Sequence, residues 1–277
     1  MELADIFNSS QQLPSIPKVV QELIESFKDE ESIDIDDIAD KISKDQVLSA
    51  KVLRIANSAK FSSSREVKTI NDAVVLLGLS MLRTMVLASG ISAAVTVPQG
   101  FDRKGFWKDS FAVAELSRWI ARYTNVNPES AFTAGMLYSI GIVLMHTVYP
   151  QECVGVDAMI KEGKDRREAE HQVFGYDYAE VGAELARRWR FPNEMSDGIA
   201  HHYDPLANDP VPPMAGIINL ALFLHQAHMD ELSEDEIIAR FPSQIADAVG
   251  MDHPRALQEV QDAVGVEEAL DALLEGL

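Results

Sequence analysis

Apolar residues recur at intervals of three and four along nearly the whole chain, and this constrains the fold more than any other feature of the sequence. Leu48, Val52, Ile55 and Ala59 advance by 4, 3 and 4 within DQVLSAKVLRIANSA. A helix returns to the same face about every 3.6 residues, so these side chains share one face. Ile70, Ala73, Val74, Leu77 and Met81 repeat the pattern. Helix starts are equally legible. Asn127 stands before Pro128 as an N-cap with proline at the first helical position, and Ser233 with Glu236 forms a capping box. No run alternates apolar and polar residues between hairpin turns. So many independent segments agreeing predicts an all-α fold.

Two breaks divide the helices into groups. Pro98, Gln99 and Gly100 end an N-terminal group, 1–98. The stretch DPLANDPVPP at 204–213 holds four of the 12 prolines and separates a central group, 99–205, from a C-terminal extension, 206–277. Three stretches lack Asp, Glu, Lys and Arg: Thr84 to Phe101, Ser130 to Gln151, and Pro210 to Met229. Each carries polar or helix-breaking residues, so they are expected to be buried core helices rather than membrane spans.

Charge and cysteine content remove whole classes of function. Twenty-four basic against 44 acidic side chains give a formal charge of -20, which repels phosphate backbones and anionic lipid; neither nucleic acid nor membrane is an expected partner. Cys153 is the only cysteine, so neither an intrachain disulfide nor a cysteine-based zinc site can form. No base or oxyanion motif accompanies it, and a structural role is expected. The start, MELADIFNSSQQ, lacks the basic and apolar segments of a secretory signal, and a cytoplasmic location is the expectation.

The segments LPSIPKVVQELIESF, ISKDQVLSAKVLRIANSAKF and TINDAVVLLGLSMLRTMVLA resemble the opening of HDOD domains, the HD-related output domains of bacterial signalling proteins. The resemblance continues through FWKDSFAVAELSRWIA, ESAFTAGMLYSIGIVLM, FGYDYAEVGAELARRWRFP and IAHHYDP, covering about Leu13 to Pro205. It implies a helical fold related to the HD phosphohydrolases, with an N-terminal helical group, a degenerate HD-like core and a C-terminal helical extension. Those enzymes hold one or two divalent metals on His and Asp ligands, because phosphoester hydrolysis near neutral pH needs an acidified water and neutralised phosphate charge.

Carried onto this chain, the first ligand position of that family falls on Asp109, the His-Asp pair on Tyr138 and Ser139, and a later histidine on Tyr178. A terminal acid falls near Leu222, while the tandem His201 and His202 remain. Phenols are poor replacements for imidazole or carboxylate. Adjacent histidines on a helix point about 100° apart and cannot chelate one metal by themselves. The resemblance therefore implies a protein without catalytic residues, metal or cofactor, in which Asp109, Tyr138, Ser139, Tyr178, His201 and His202 mark a vestigial or ligand-binding site. Such a module signals through protein partners or through a small nucleotide-like ligand. The alternative is a residual metal-dependent phosphohydrolase acting on nucleotides or cyclic dinucleotides.

Other residues read more simply. His225 and His228, at i and i+3, suit either a weak metal site or the polar end of an apolar helix. Trp107, Trp119 and Trp189 are expected as core anchors, Gly135 and Gly141 as points of close helix packing, and Ser58 and Ser110 as helix-end or packing residues. KEGKDRRE at 161–168 reads as a turn and a helix start.

Overall fold

Asn127 caps the helix that its place before Pro128 predicts: its side chain accepts from the Ser130 amide at 2.9 Å. Ser233 and Glu236 likewise form the expected capping box. These local features belong to a computed structural model that describes residues 1–8, 18–25, 35–57, 67–78, 82, 86, 90 and 100–259. The LPxxP start, Ser58, Ala59, Met81, Arg83, nearly all of 84–99 and the tail 260–277 lie outside the described residues. Every regular element among the described residues is helical. The chain divides into two compact units, Ser15–Ala94 with Val264–Leu277, and Met1–Pro14 with Val95–Ala263.

The smaller unit contains α2 (Lys18–Glu25), α3 (Ile35–Lys44), α4 (Gln46–Ala56) and α5 over the described residues 70–78. Leu48, Val52 and Ala56 are buried along α4, as are Ile70 and Ala73 on α5, so the spacing located the inner faces. Asn57 closes the far end of α4. Its amide donates to the Val67 carbonyl at 2.7 Å, and its oxygen accepts from the Val67 amide at 2.8 Å. One side chain thereby satisfies both backbone groups of a residue ten positions on.

The larger unit holds α1 (Leu3–Asn8) and the helices that surround the candidate site. They are α6 (Arg103–Ala121), α7 (Pro128–Leu137), α8 (Ile140–Val148), α9 (Pro150–Lys161), α10 (Arg166–Phe174), α11 (Tyr178–Arg188), α12 (Asn193–His201) and α13 (Pro213–Met229). Three short helices follow, α14 (Glu234–Arg240), α15 (Ser243–Ala248) and α16 (His253–Gln258). Helix α6 packs on α7 and α13, and α11 packs on α8 and α12. Trp107, Trp119 and Trp189 are all buried in this unit, as expected of anchors.

The charge-free stretch 130–151 folds as α7 and α8, with a break at Tyr138 and Ser139. Residues Pro128–Val148 are long and apolar enough to cross a membrane, yet 72% of that window is buried inside the protein. Its apolar character is used by the core. The stretch 210–229 supplies α13, whose Met214, Ile217, Ile218, Leu220 and Leu224 are buried. Gly141 permits the contact that matters most for the site. A Cβ there would lie 2.0 Å from the Tyr178 carbonyl oxygen, so α8 and α11 meet backbone to backbone. Gly135 does the same for α7 against α6, where a Cβ would come 2.9 Å from the Ala114 Cα.

Candidate functional site

The break between α7 and α8 presents Tyr138 and Ser139 toward the start of α11, and the end of α12 approaches the same place. Tyr178 and His202 meet there, with the phenolic oxygen 2.9 Å from His202 Nε2. His202 Nδ1 lies 2.7 Å from the Ile199 carbonyl. A carbonyl only accepts, so Nδ1 carries the proton and Nε2 of the neutral ring accepts from the Tyr178 hydroxyl. Burial is complete at His202, with 0% of the residue exposed, and this pushes its pKa down to about 4. Burial also drives the Tyr178 hydroxyl well above the ordinary phenol range, with neighbouring Tyr138 adding to the effect. The pair is neutral and buried.

The Tyr138 ring stands edge-on to His202, with centroids 5.6 Å apart and planes at 87°. Its hydroxyl is pushed up to about 12, first by burial and then by the Asp109 carboxylate. Ser139 is buried, its hydroxyl 3.4 Å from that of Ser110 on α6. Ser110 is thus a packing residue. Asn219 on α13 donates to the His202 carbonyl at 2.8 Å, which supplies a partner at the C-terminal end of α12.

Of the six residues marked in the sequence, Tyr138, Ser139, Tyr178 and His202 gather around this break. Asp109 sits at its outer rim, 54% exposed, with Oδ1 3.5 Å from His225 Nε2. His225 therefore faces α6 across the α6–α13 contact. His201 is exposed, whereas its neighbour His202 is buried, so the tandem divides between solvent and core. The expectation that all six converge is corrected at His201: one helical step, about 100°, carries it off the buried face.

Sequence reasoning missed a layer of charged partners. Glu170 is buried and accepts from the Tyr178 amide at 2.8 Å and from Arg166 at 3.2 Å. Burial raises its pKa, opposed by these hydrogen-bond donors. Arg166 also approaches Asp157 at 4.0 Å, and Asp157 faces His146 at 3.1 Å. Buried Asp177 caps α11, accepting from the Ala179 and Glu180 amides at 2.9 and 3.0 Å and from Arg167 through its other oxygen. The D-x-x-E spacing of Asp177 and Glu180 carries that signal in the sequence. The segment 161–168 is the expected turn and helix start, and its two arginines are also the cations of this layer.

These donors differ from the His and Asp set of a phosphohydrolase metal centre. Both ring nitrogens of His202 are spent on protein partners, and phenols and a hydroxyl occupy 138, 139 and 178. Among the described residues, the ligand-type atoms that form a group of three within 4.8 Å belong to His171, Asp177 and Glu180. Those carboxylates are already engaged in capping α11, and Arg167 places a positive charge on Asp177. Cys153 is buried and its thiol is pushed up to about 12 by burial, consistent with a structural role.

The family model of the HDOD domain matches residues 13–205. Among solved structures, a protein of Shewanella amazonensis SB2B provisionally named a phosphohydrolase is 33% identical, over 99% of this chain and 98% of that one, with a TM-score of 0.80. An HDOD domain protein of unknown function from Geobacter sulfurreducens is 26% identical, over 99% and 97% of the two chains, also at 0.80. A Marinobacter aquaeolei VT8 protein provisionally named for signal transduction shares the fold at 19% identity and 0.80, covering 99% of this chain and 65% of its own. An uncharacterized protein of Treponema pallidum (strain Nichols) is 25% identical over 223 residues. That match takes in 79% of this chain and 42% of the relative, so this chain spans less than half the relative's length.

Proposed function

The chain belongs to the HDOD domain family, and from that premise we propose that it is a non-catalytic cytoplasmic module of bacterial signal transduction, which works by binding a protein partner or a small ligand. One observation carries the reading. His202, the buried survivor of the tandem, has Nε2 engaged by Tyr178 and Nδ1 by Ile199, so no lone pair is left for a metal ion. A scaffold that keeps its apolar packing while its ligand positions hold neutral hydrogen bonds is suited to recognition rather than to hydrolysis.

The test pairs elemental analysis of purified native protein with hydrolysis assays. Bis-p-nitrophenyl phosphate and a cyclic dinucleotide are offered with Mn2+, Mg2+ and Fe2+. The expected result is substoichiometric metal and no turnover above buffer. Stoichiometric metal with turnover abolished by His202→Ala or His201→Ala overturns the reading in favour of a residual phosphohydrolase.

A further inference from the structure

Outside the buried pair, a cleft of ≈ 680 Å³ opens between the start of α6, the start of α8, α9 and the start of α10. Its walls include a run of aromatic rings. Phe101 packs on Phe106 at 5.6 Å and stands edge-on to His146 at 5.2 Å, and Tyr138 lines the same space. The charges are unequal. Among the described residues, Asp102, Asp109 and Asp157 bring three carboxylates against the single guanidinium of Arg166. Arg166 is itself held by Glu170 at 3.2 Å and faces Asp157 at 4.0 Å, so its charge is largely compensated. Asp109 is the carboxylate with most to offer: it is 54% exposed, and its contact with His225 is long, at 3.5 Å.

We propose that this cleft binds a small organic cation, an ammonium or amidinium group carried on a flat apolar body. The inference rests on the reading of the chain as a binding module and narrows its ligand. Aromatic rings attract cations through their negative faces, and a carboxylate at the rim of an aromatic cleft adds direct charge pairing. The formal charge of -20 draws cations toward the surface from a distance. Those same carboxylates repel a phosphate ester, so nucleotides are disfavoured in this cleft.

Tryptamine and indole-3-acetate share one ring system and carry opposite charge, so titrating the full chain with each by calorimetry isolates the electrostatic preference. Tryptamine is expected to bind saturably with a Kd in the millimolar range or below, and indole-3-acetate not to bind. Asp109→Asn should weaken tryptamine about tenfold, and Phe106→Leu, which keeps bulk but removes the ring, about threefold. Asp235→Asn on α14 makes the same change in net charge and should leave the affinity unaltered. Absence of saturable tryptamine binding, equal or tighter binding of indole-3-acetate, or equal losses in Asp109→Asn and Asp235→Asn overturns the proposal. Turnover in the phosphoester assay would instead overturn the non-catalytic reading, leaving amine binding to stand or fall on its own titration.

Discussion

Two histidines of the larger unit face oxygen partners close to the α7–α8 break, and their surroundings make them different chemical objects. His202 is wholly buried, paired at 2.9 Å with a phenol and held neutral by desolvation. His225 faces the Asp109 carboxylate at 3.5 Å, at a rim where Asp109 remains 54% exposed. In the first pair, water has been replaced by fixed partners, and losing either partner leaves a buried polar atom unsatisfied. In the second, the His225 side chain is 15% exposed and only the Asp109 carboxylate stands largely in water, which can replace its partner. The same residue type is therefore locked inside the core in one place and set beside an exposed carboxylate in the other.

The strongest way to break the contrast is to part the helices that enclose the buried pair. Gly141→Ala drives a methyl group into the Tyr178 carbonyl, a contact of 2.0 Å that no side-chain movement relieves. Unfolding in urea should show a loss of about 3 kcal/mol or more. Retention of wild-type stability would mean that α8 and α11 separate at little cost.

Next in size is the proton that His202 refuses. Its pKa is about 4 in the folded chain against 6.5 for an exposed histidine, so the unfolded chain binds the proton first. Stability from this group is complete above pH 6.5 and is lost as pH falls toward 4, in total about 3 kcal/mol. Glu170 works in the opposite direction, since its raised pKa favours proton uptake by the folded chain as pH drops. The difference between wild type and His202→Gln, followed by denaturant midpoints across that range, isolates the histidine; parallel curves would contradict its buried neutral state.

Tyr178→Phe sharpens the comparison by removing one hydroxyl and leaving Nε2 without its donor. The expected loss is about 2 kcal/mol, read from the same urea transitions, and a neutral result would show that water serves the nitrogen equally well. Asp109→Asn should be the mildest change, within about 0.5 kcal/mol in stability. It should also bring the Tyr138 hydroxyl down from about 12, because burial remains while the neighbouring negative charge is gone. Tyrosinate absorbance during an alkaline titration measures that shift.

Much of the fold was legible before any coordinates. Leu48 and Val52 announced the inner face of α4, Asn127 and Ser233 announced their caps, and the motif chain through GMLYSIG and IAHHYDP announced the HDOD pattern. These are local properties: backbone periodicity and capping depend on residues three or four positions apart. The candidate site was legible only as a set of positions. Nothing in IAHHYDP distinguishes His201 from His202, because the angle between them is known from helix geometry while the direction of the core is not.

What the sequence by itself determined is therefore the helical class, the helix starts and the residue types available at the vestigial ligand positions. The tertiary structure alone decided which lone pairs are spent. Tyr178 reaches His202 across 24 positions because α11 packs on α12, and Arg166 arrives from a segment that reads locally as no more than a turn and a helix start to meet Glu170 one turn on. Burial and hydrogen-bond satisfaction are set through space by packing of distant elements, so the contrast between a closed neutral pair and an open acidic cleft exists only once the chain has folded.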